Sequence, residues 1–294
     1  MTVFNTLKKL GLASEETSVL FHKGVRDNPD LNVFKDISSG VIFIKDFYFG
    51  DEGYESGNYR KEKLNQEYDD LSIKDYERLT DCKRRISDFK PFYVGKDIVD
   101  FGCGHGDFLK ASQNFTNSSS GVELQNSFIE KLTKNKIRCE KSIGEYKDQS
   151  IDTFFLFHSF EHLPDPLKVL QEIKSKLRNK GKLIIEVPHA NDFLISTLKE
   201  ESFIKFTLWS QHLILHTKNS LERFLEFSGF DNILIKGVQR YPFSNHLHWV
   251  SQKKPGGHKT NMSLLDTKEL TKAYANTLSQ LGANDTLIAI AENI

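Results

Sequence analysis

The stretch Ile98 to Asp107, IVDFGCGHGD, sets Gly102, Gly104 and Gly106 at alternate positions directly after a short apolar run. A strand running into a glycine-rich turn and a helix makes a cradle of backbone N–H groups. Three ligand classes use such a cradle. A phosphate loop, GxxxxGK[ST], needs a Gly-Lys pair that does not follow Gly102. The dinucleotide fingerprint GxGxxG needs glycine at 107, where Asp107 opposes a pyrophosphate by charge and by bulk. A closely packed cofactor without phosphates remains, with Asp100 just before the turn. Glu123 follows Gly102 by twenty-one residues, the spacing at which such sheets set an acid on the ribose hydroxyls. Two hydroxyls on one carboxylate make charge-assisted hydrogen bonds; the competing reading of Glu123 is a solvated strand-end acid.

Ten histidines supply candidate bases, since an imidazole near its ordinary pKa can take a proton from an oxygen nucleophile. His158, His162, His189, His212, His216, His246 and His248 fall where a substrate is expected. By position His158 and His189, just past strand ends, come first as catalytic candidates and His212 third. His162 is expected to orient its turn. For each, a purely structural or exposed role is the alternative. The insertion 239–260, containing YPFSNHLHWVSQKKPGGHKT, offers aromatic faces for stacking and Lys253, Lys254 and Lys259 for a phosphate-bearing carrier, or else is a solvated loop. Tyr59 and Arg60 either close over the cofactor or lie on the surface. Arg84-Arg85 reads as a solvated helix face and FFLFHSF as core.

These groups need a scaffold. A chain of 294 residues can bury a full core with room for an appendage. Forty basic and forty acidic residues cancel, which argues against a nucleic-acid partner. No apolar run approaches membrane-spanning length, and the charged N-terminus is unlike a secretory signal. Three widely spaced cysteines argue against a disulfide framework and a structural zinc site. A cytoplasmic protein without a metal is expected. From Lys96 onward, short apolar runs alternate with helical patterns, the mark of an α/β parallel sheet. Strands are expected at 96–101, 119–124, 137–142, 151–159, 182–188, 232–238 and 286–292. A helix opened by Pro164 and Pro166 is expected to stop at Gly181, and Thr217 or Asn219 to cap another. Residues 33–49 read as a hairpin around Ser38-Ser39-Gly40, while 189–216 and 239–262 read as loops walling the substrate.

The motifs IVDFGCGHGDF, GVEL, DTFFLFHSFEHLPDP and KLIIEVPH resemble the class I S-adenosylmethionine-dependent methyltransferases, over 96–238 and the last strand. The resemblance implies an α/β fold with a Rossmann-like seven-stranded mixed sheet, order 3-2-1-4-5-7-6, flanked by helices. Residues 1–90 would be a small N-terminal cap of hairpin and helices. Residues 91–294 would be the methyltransferase domain, with substrate insertions at 189–216 and 239–285. Its cofactor would be S-adenosyl-L-methionine, held by Gly102, Gly104, Gly106 and Leu124, by Glu123 at the ribose, and by Asp100 near the methionine moiety. Ile143, Gly144 and Glu145 would flank the adenine, although KSIGEY lacks the aspartate usual there. Phe157 and His158 would face the cofactor, with Tyr59 over it. The Gln211-His212 pair and the Asp-Pro helix resemble a subgroup tied to small-molecule, antibiotic-sugar and surface-glycan modification, without that subgroup's zinc-binding cysteines. The expected reaction is O-methylation of a sugar or sugar nucleotide for a bacterial surface polysaccharide, with a histidine base. N- or C-methylation, a nicotinamide-dependent oxidoreductase or epimerase, and an inactive methyltransferase-like scaffold are the alternatives. No nucleic acid and no membrane insertion are expected.

Overall fold

The computed structural model describes residues 2–48, 50–56 and 71–294, so Tyr59 and Arg60 lie outside the described residues. In chain order its strands are β1 (Ser18–His22), β2 (Val33–Asp36), β3 (Ile42–Phe43), β4 (Asp97–Phe101), β5 (Ser118–Val122) and β6 (Arg138–Glu140). β7 (Ile151–Phe157), β8 (Leu177–Pro188), β9 (Ile214–Leu215), β10 (Asp231–Val238) and β11 (Thr286–Glu292) complete the set. Seven of them form one sheet in the order β10-β11-β8-β7-β4-β5-β6. Counted from β4 and read from the other end, that is the expected 3-2-1-4-5-7-6. β7 runs parallel to both β4 and β8. A strand buried on both faces needs no polar alternation, which is why IDTFFLF is apolar almost throughout.

Helices fill the crossovers where their caps allow. We label α1 (Leu71–Asp88), α2 (Asp107–Ser112), α3 (Asn126–Lys134), α4 (Pro166–Lys176), α5 (Lys218–Phe227), α6 (Phe243–Gln252) and α7 (Lys268–Leu281). Pro166 opens α4, and Asp165 caps it through the Lys168 N–H at 3.2 Å. Thr217 and Ser220 cap α5 reciprocally, Ser220 N–H donating to Thr217 Oγ1 at 3.1 Å and Thr217 N–H to Ser220 Oγ at 2.9 Å. Two expectations are corrected. α4 ends at Lys176, and Gly181 lies inside β8, where a side chain would meet the Arg178 carbonyl at 2.8 Å. The insertion 239–262 is not all loop, because α6 fills its middle. Ser244, Asn245, His246, His248 and Trp249 of α6 are buried, so its inward face is largely polar and gives no apolar period.

A second sheet, β1-β2-β3-β9, contains the expected hairpin. Asp36 closes its turn by accepting from the N–H groups of Ser38 and Ser39 at 3.0 and 2.8 Å. β9, from the segment expected to be loop, pairs with β3 through Ile42 and Leu215. The chain divides into two compact units of discontinuous segments. One comprises Met1–Tyr48, Val187–Leu221 and Ile235–Ile288; the other comprises Phe49–Glu186, Glu222–Leu234 and Ala289–Ile294. Among the described residues, no helix is long and apolar enough to cross a membrane.

Candidate functional site

β4 delivers the chain into the glycine turn, and all three glycines take positive φ, 73° at Gly102, 51° at Gly104 and 67° at Gly106. Two of them are also closed to a side chain. A Cβ at Gly102 would meet Ser159 Cβ at 2.8 Å, and one at Gly106 would meet Leu132. Gly104 differs, because a Cβ there would find nothing within 4 Å. Its backbone instead fronts a cavity of about 180 Å³ walled by Arg85, Asp100, Gly102, Phe108 and Phe157 among others. The Gly104 N–H donates to Glu123 Oε2 at 2.9 Å, while Glu123 Oε1 accepts from the N–H groups of Leu124 and Gln125 at 2.8 and 2.9 Å. Glu123 is therefore fastened to the turn rather than left in solvent.

Asp100 is buried, and its Oδ1 has no hydrogen-bond partner among the described residues. Burial pushes its carboxyl up to about 7; Arg85 pulls it down, and Glu123, Asp107 and Glu186 add to the rise. Asp107 is ion-paired with Arg78, so the charge expected to repel a pyrophosphate is compensated. Ile143 is buried and Gly144 exposed in a 3-10 turn, which Ser142 caps by accepting from the Gly144 N–H at 3.1 Å.

Beside this cavity the sequence reading missed a charge cluster. Glu186, at the end of β8, is wholly buried. It accepts from Arg84 Nη2 and Arg85 Nη2, each at 2.7 Å, and lies 3.2 Å from His158 Nε2. Burial opposes its ionisation, but Arg85, His158 and Arg84 outweigh burial and hold it well below the usual carboxylate range. Arg84 and Arg85 are thus an ionic clamp from α1, not a solvated face. His158 has φ of 52° and its Nδ1 lies 3.5 Å from Glu161 Oε1, so both ring nitrogens face carboxylates. Phe157 packs among Phe108, Phe155 and Phe89 at 5.1, 5.4 and 5.6 Å, with Arg85 over its ring at 4.3 Å.

The methyltransferase domain family matches residues 74–235 of this chain. The chain belongs to that family. An uncharacterised protein of Methanocaldococcus jannaschii is 29% identical over 199 residues, 68% of this methyltransferase and 80% of that protein. The tRNA U34 carboxymethyltransferase of Campylobacter curvus is 29% identical over 102 residues, 31% of this chain and only 34% of that enzyme. The crystal structure of a SAM-dependent methyltransferase from Archaeoglobus fulgidus shares the fold. Its TM-score is 0.52 at 21% identity, over 74% of this chain and 94% of that one.

The methyltransferase uses S-adenosylmethionine, and the residues at the glycine turn fit it. An unpartnered buried carboxylate oxygen suits a cation, and this cofactor carries an ammonium and a sulfonium. The open Gly104 backbone suits close approach, and Glu123 offers acceptors for ribose hydroxyls.

The methyltransferase also gathers polar groups where β8 and β10 end and β11 begins. The His189 N–H donates to the Asp285 carbonyl at 3.0 Å, and Gln239 Nε2 donates to Asp285 Oδ2 at 2.8 Å. Open α/β sheets bind ligands at strand carboxyl ends. His189 is buried, and its Nδ1 lies 2.9 Å from the Asn284 carbonyl. That carbonyl can only accept, so Nδ1 carries the hydrogen and Nε2 the lone pair. Burial lowers its pKa to about 4, the hydrogen bond to Asn284 opposing and Lys218 assisting. His246 is likewise lowered to about 4 by burial; its Nδ1 lies 2.7 Å from Tyr274 Oη and its Nε2 3.3 Å from Gln239 Nε2. Asp192 is pushed up to about 8 by burial and by Asp285. Gln239, Asn284 and Asp285 escaped the sequence reading, since only the meeting of three strand ends brings them together, and Tyr274 reaches His246 from α7. His212 stands elsewhere in the same unit, its Nδ1 2.8 Å from the Thr207 carbonyl. Lys253 is paired with Glu200 at 2.8 Å.

Proposed function

We propose that the methyltransferase O-methylates a small hydroxylated acceptor, a sugar or sugar nucleotide, with His189 as the general base. The observation that carries this reading is the tautomer of His189, a neutral imidazole whose basic nitrogen is fixed by Asn284. S-adenosylmethionine supplies a methyl group already activated by its sulfonium. Asp100, Glu123 and the N–H groups around Gly104 would hold that donor, with Ile143 and Gly144 beside the adenine and Phe157 and His158 nearby. What remains for the chain is to orient the acceptor and remove its proton. His189 Nε2 takes the hydroxyl proton. His246 Nδ1 and Tyr274 Oη share one hydrogen bond at 2.7 Å, while Gln239 Nε2 directs its two hydrogens to the Tyr241 carbonyl and to Asp285 Oδ2. Burial pushes the Tyr274 phenol up, so it serves as a donor and not as a base. His158, with both nitrogens against carboxylates, supports Glu186 of the Arg84–Arg85 clamp instead. Equal numbers of acidic and basic residues favour a small acceptor over RNA.

Incubation with radiolabelled S-adenosylmethionine and either nucleoside-diphosphate sugars or bulk tRNA tests the acceptor class. Label is expected in an alkali-stable ether of the sugar; label in tRNA alone would refute the proposal. With a sugar substrate and saturating donor, the rate is expected to stay level down to about pH 5, because His189 protonates only near 4. A base with an ordinary histidine pKa would lose half its rate near about pH 6.5.

A further inference from the structure

Both tryptophans of the chain, Trp209 and Trp249, stand in one aromatic cluster, and that cluster holds the Arg26 guanidinium. The Arg26 guanidinium carbon lies 4.9 Å from the centre of the Trp209 ring and 5.1 Å from that of Phe206. Phe206 and Phe203 pack on Trp249 at 5.2 and 5.3 Å. The Arg26 side chain has no hydrogen bond or ion pair among the described residues. Its neighbour Asp27 is engaged elsewhere, accepting from Ser210 N–H at 2.9 Å and Ser210 Oγ at 2.5 Å. Burial lowers the Arg26 pKa while Asp27 opposes, so the cation is desolvated with no compensating bond among the described residues.

A guanidinium held against two rings has its plane fixed before any ligand arrives, and its N–H fork matches two oxygens of one oxyanion. The Arg26 backbone N–H donates to the Leu208 carbonyl at 3.0 Å, tying the residue to the segment expected to wall the substrate. Trp209 meets the His212 ring at 5.7 Å on the same segment. We propose that Arg26 is an oxyanion receptor that takes a phosphate of the acceptor, with Trp209 as the flat wall beside it. The assignment rests on the proposed function only in its ligand class, a nucleotide-linked or phosphorylated acceptor.

Because both tryptophans lie in this cluster, intrinsic fluorescence reads it without any turnover. Titration with inorganic pyrophosphate at constant ionic strength is expected to give a saturable change in the wild-type protein. Arg26→Lys is expected to bind about tenfold more weakly, having lost the fork but kept the charge, and Arg26→Gln to show no saturable change. Acetate is expected to give a weaker response than pyrophosphate. An unchanged titration in Arg26→Gln, no saturable response in the wild type, or equal responses to acetate and pyrophosphate would overturn the assignment. Should Arg26→Gln fail to fold, wild-type affinity in Arg26→Lys overturns it alone. S-adenosylhomocysteine binding, measured on the same samples, is expected to be unchanged by either variant. Its absence from the wild type would count against the methyltransferase site and leave the Arg26 result standing.

Discussion

Glu186→Gln is expected to lower stability by about 3–5 kcal/mol, the cost of leaving buried charges without their counterion. Glu186 is wholly buried and receives two guanidiniums and an imidazole. When its charge goes, Arg84 retains Asp81 at 3.4 Å and Asp88 at 3.7 Å. Arg85 faces Phe157 and Asp100 across the cavity wall, so it is expected to turn to the unpartnered Asp100 oxygen. The variant should therefore bind S-adenosylmethionine more weakly as well as unfold earlier. Chemical denaturation at several pH values checks this. The folded-state pKa of Glu186 is depressed, so its contribution is present above the ordinary carboxylate pKa and is lost as pH falls through the folded value. The gap between wild type and variant should be full at neutral pH and narrow in acid. A variant as stable as the wild type at pH 7 would show the clamp to be dispensable.

His189→Ala is expected to cut methyl transfer on the order of 10²–10⁴-fold, with S-adenosylhomocysteine affinity unchanged. His189→Gln keeps a side chain able to donate to the Asn284 carbonyl but has no basic nitrogen. It should fold like the wild type and be as inactive as the alanine variant. Single-turnover rates together with melting temperatures separate the outcomes. Full activity in His189→Gln would remove the base from the proposal, whereas loss of folding in the alanine variant alone would leave it standing.

How legible these features were depended on how local they are. The seven strands followed from apolar runs and helix signals that lie in sequence where they act, and their order from the family resemblance that the glycine turn and strand-end motifs carry. Gly102, Gly104 and Gly106 stood out because one turn requires all three. Glu186 was invisible because its partners Arg84 and Arg85 lie about a hundred residues earlier, and two adjacent arginines in a charged helix look like a solvated face. Asp285 and Gln239, 46 residues apart, meet only because β10 ends where β11 begins. α6 was passed over because its buried face carries Ser244, Asn245, His246 and His248, polar groups that hydrophobic periodicity counts as exposed. Several pair locally, as His248 does with the Lys254 carbonyl at 2.7 Å, which makes their burial affordable.

The central claim is that the turn at Gly104, with Asp100 and Glu123, seats S-adenosylmethionine. Calorimetric titration of S-adenosylhomocysteine into wild-type and Glu123→Gln protein, with NAD as the control ligand, tests it most directly. Saturable binding to the wild type, about tenfold weaker or worse in Glu123→Gln, and no heat from NAD are expected. No binding of S-adenosylhomocysteine, or equal affinity in the two proteins, would contradict the account.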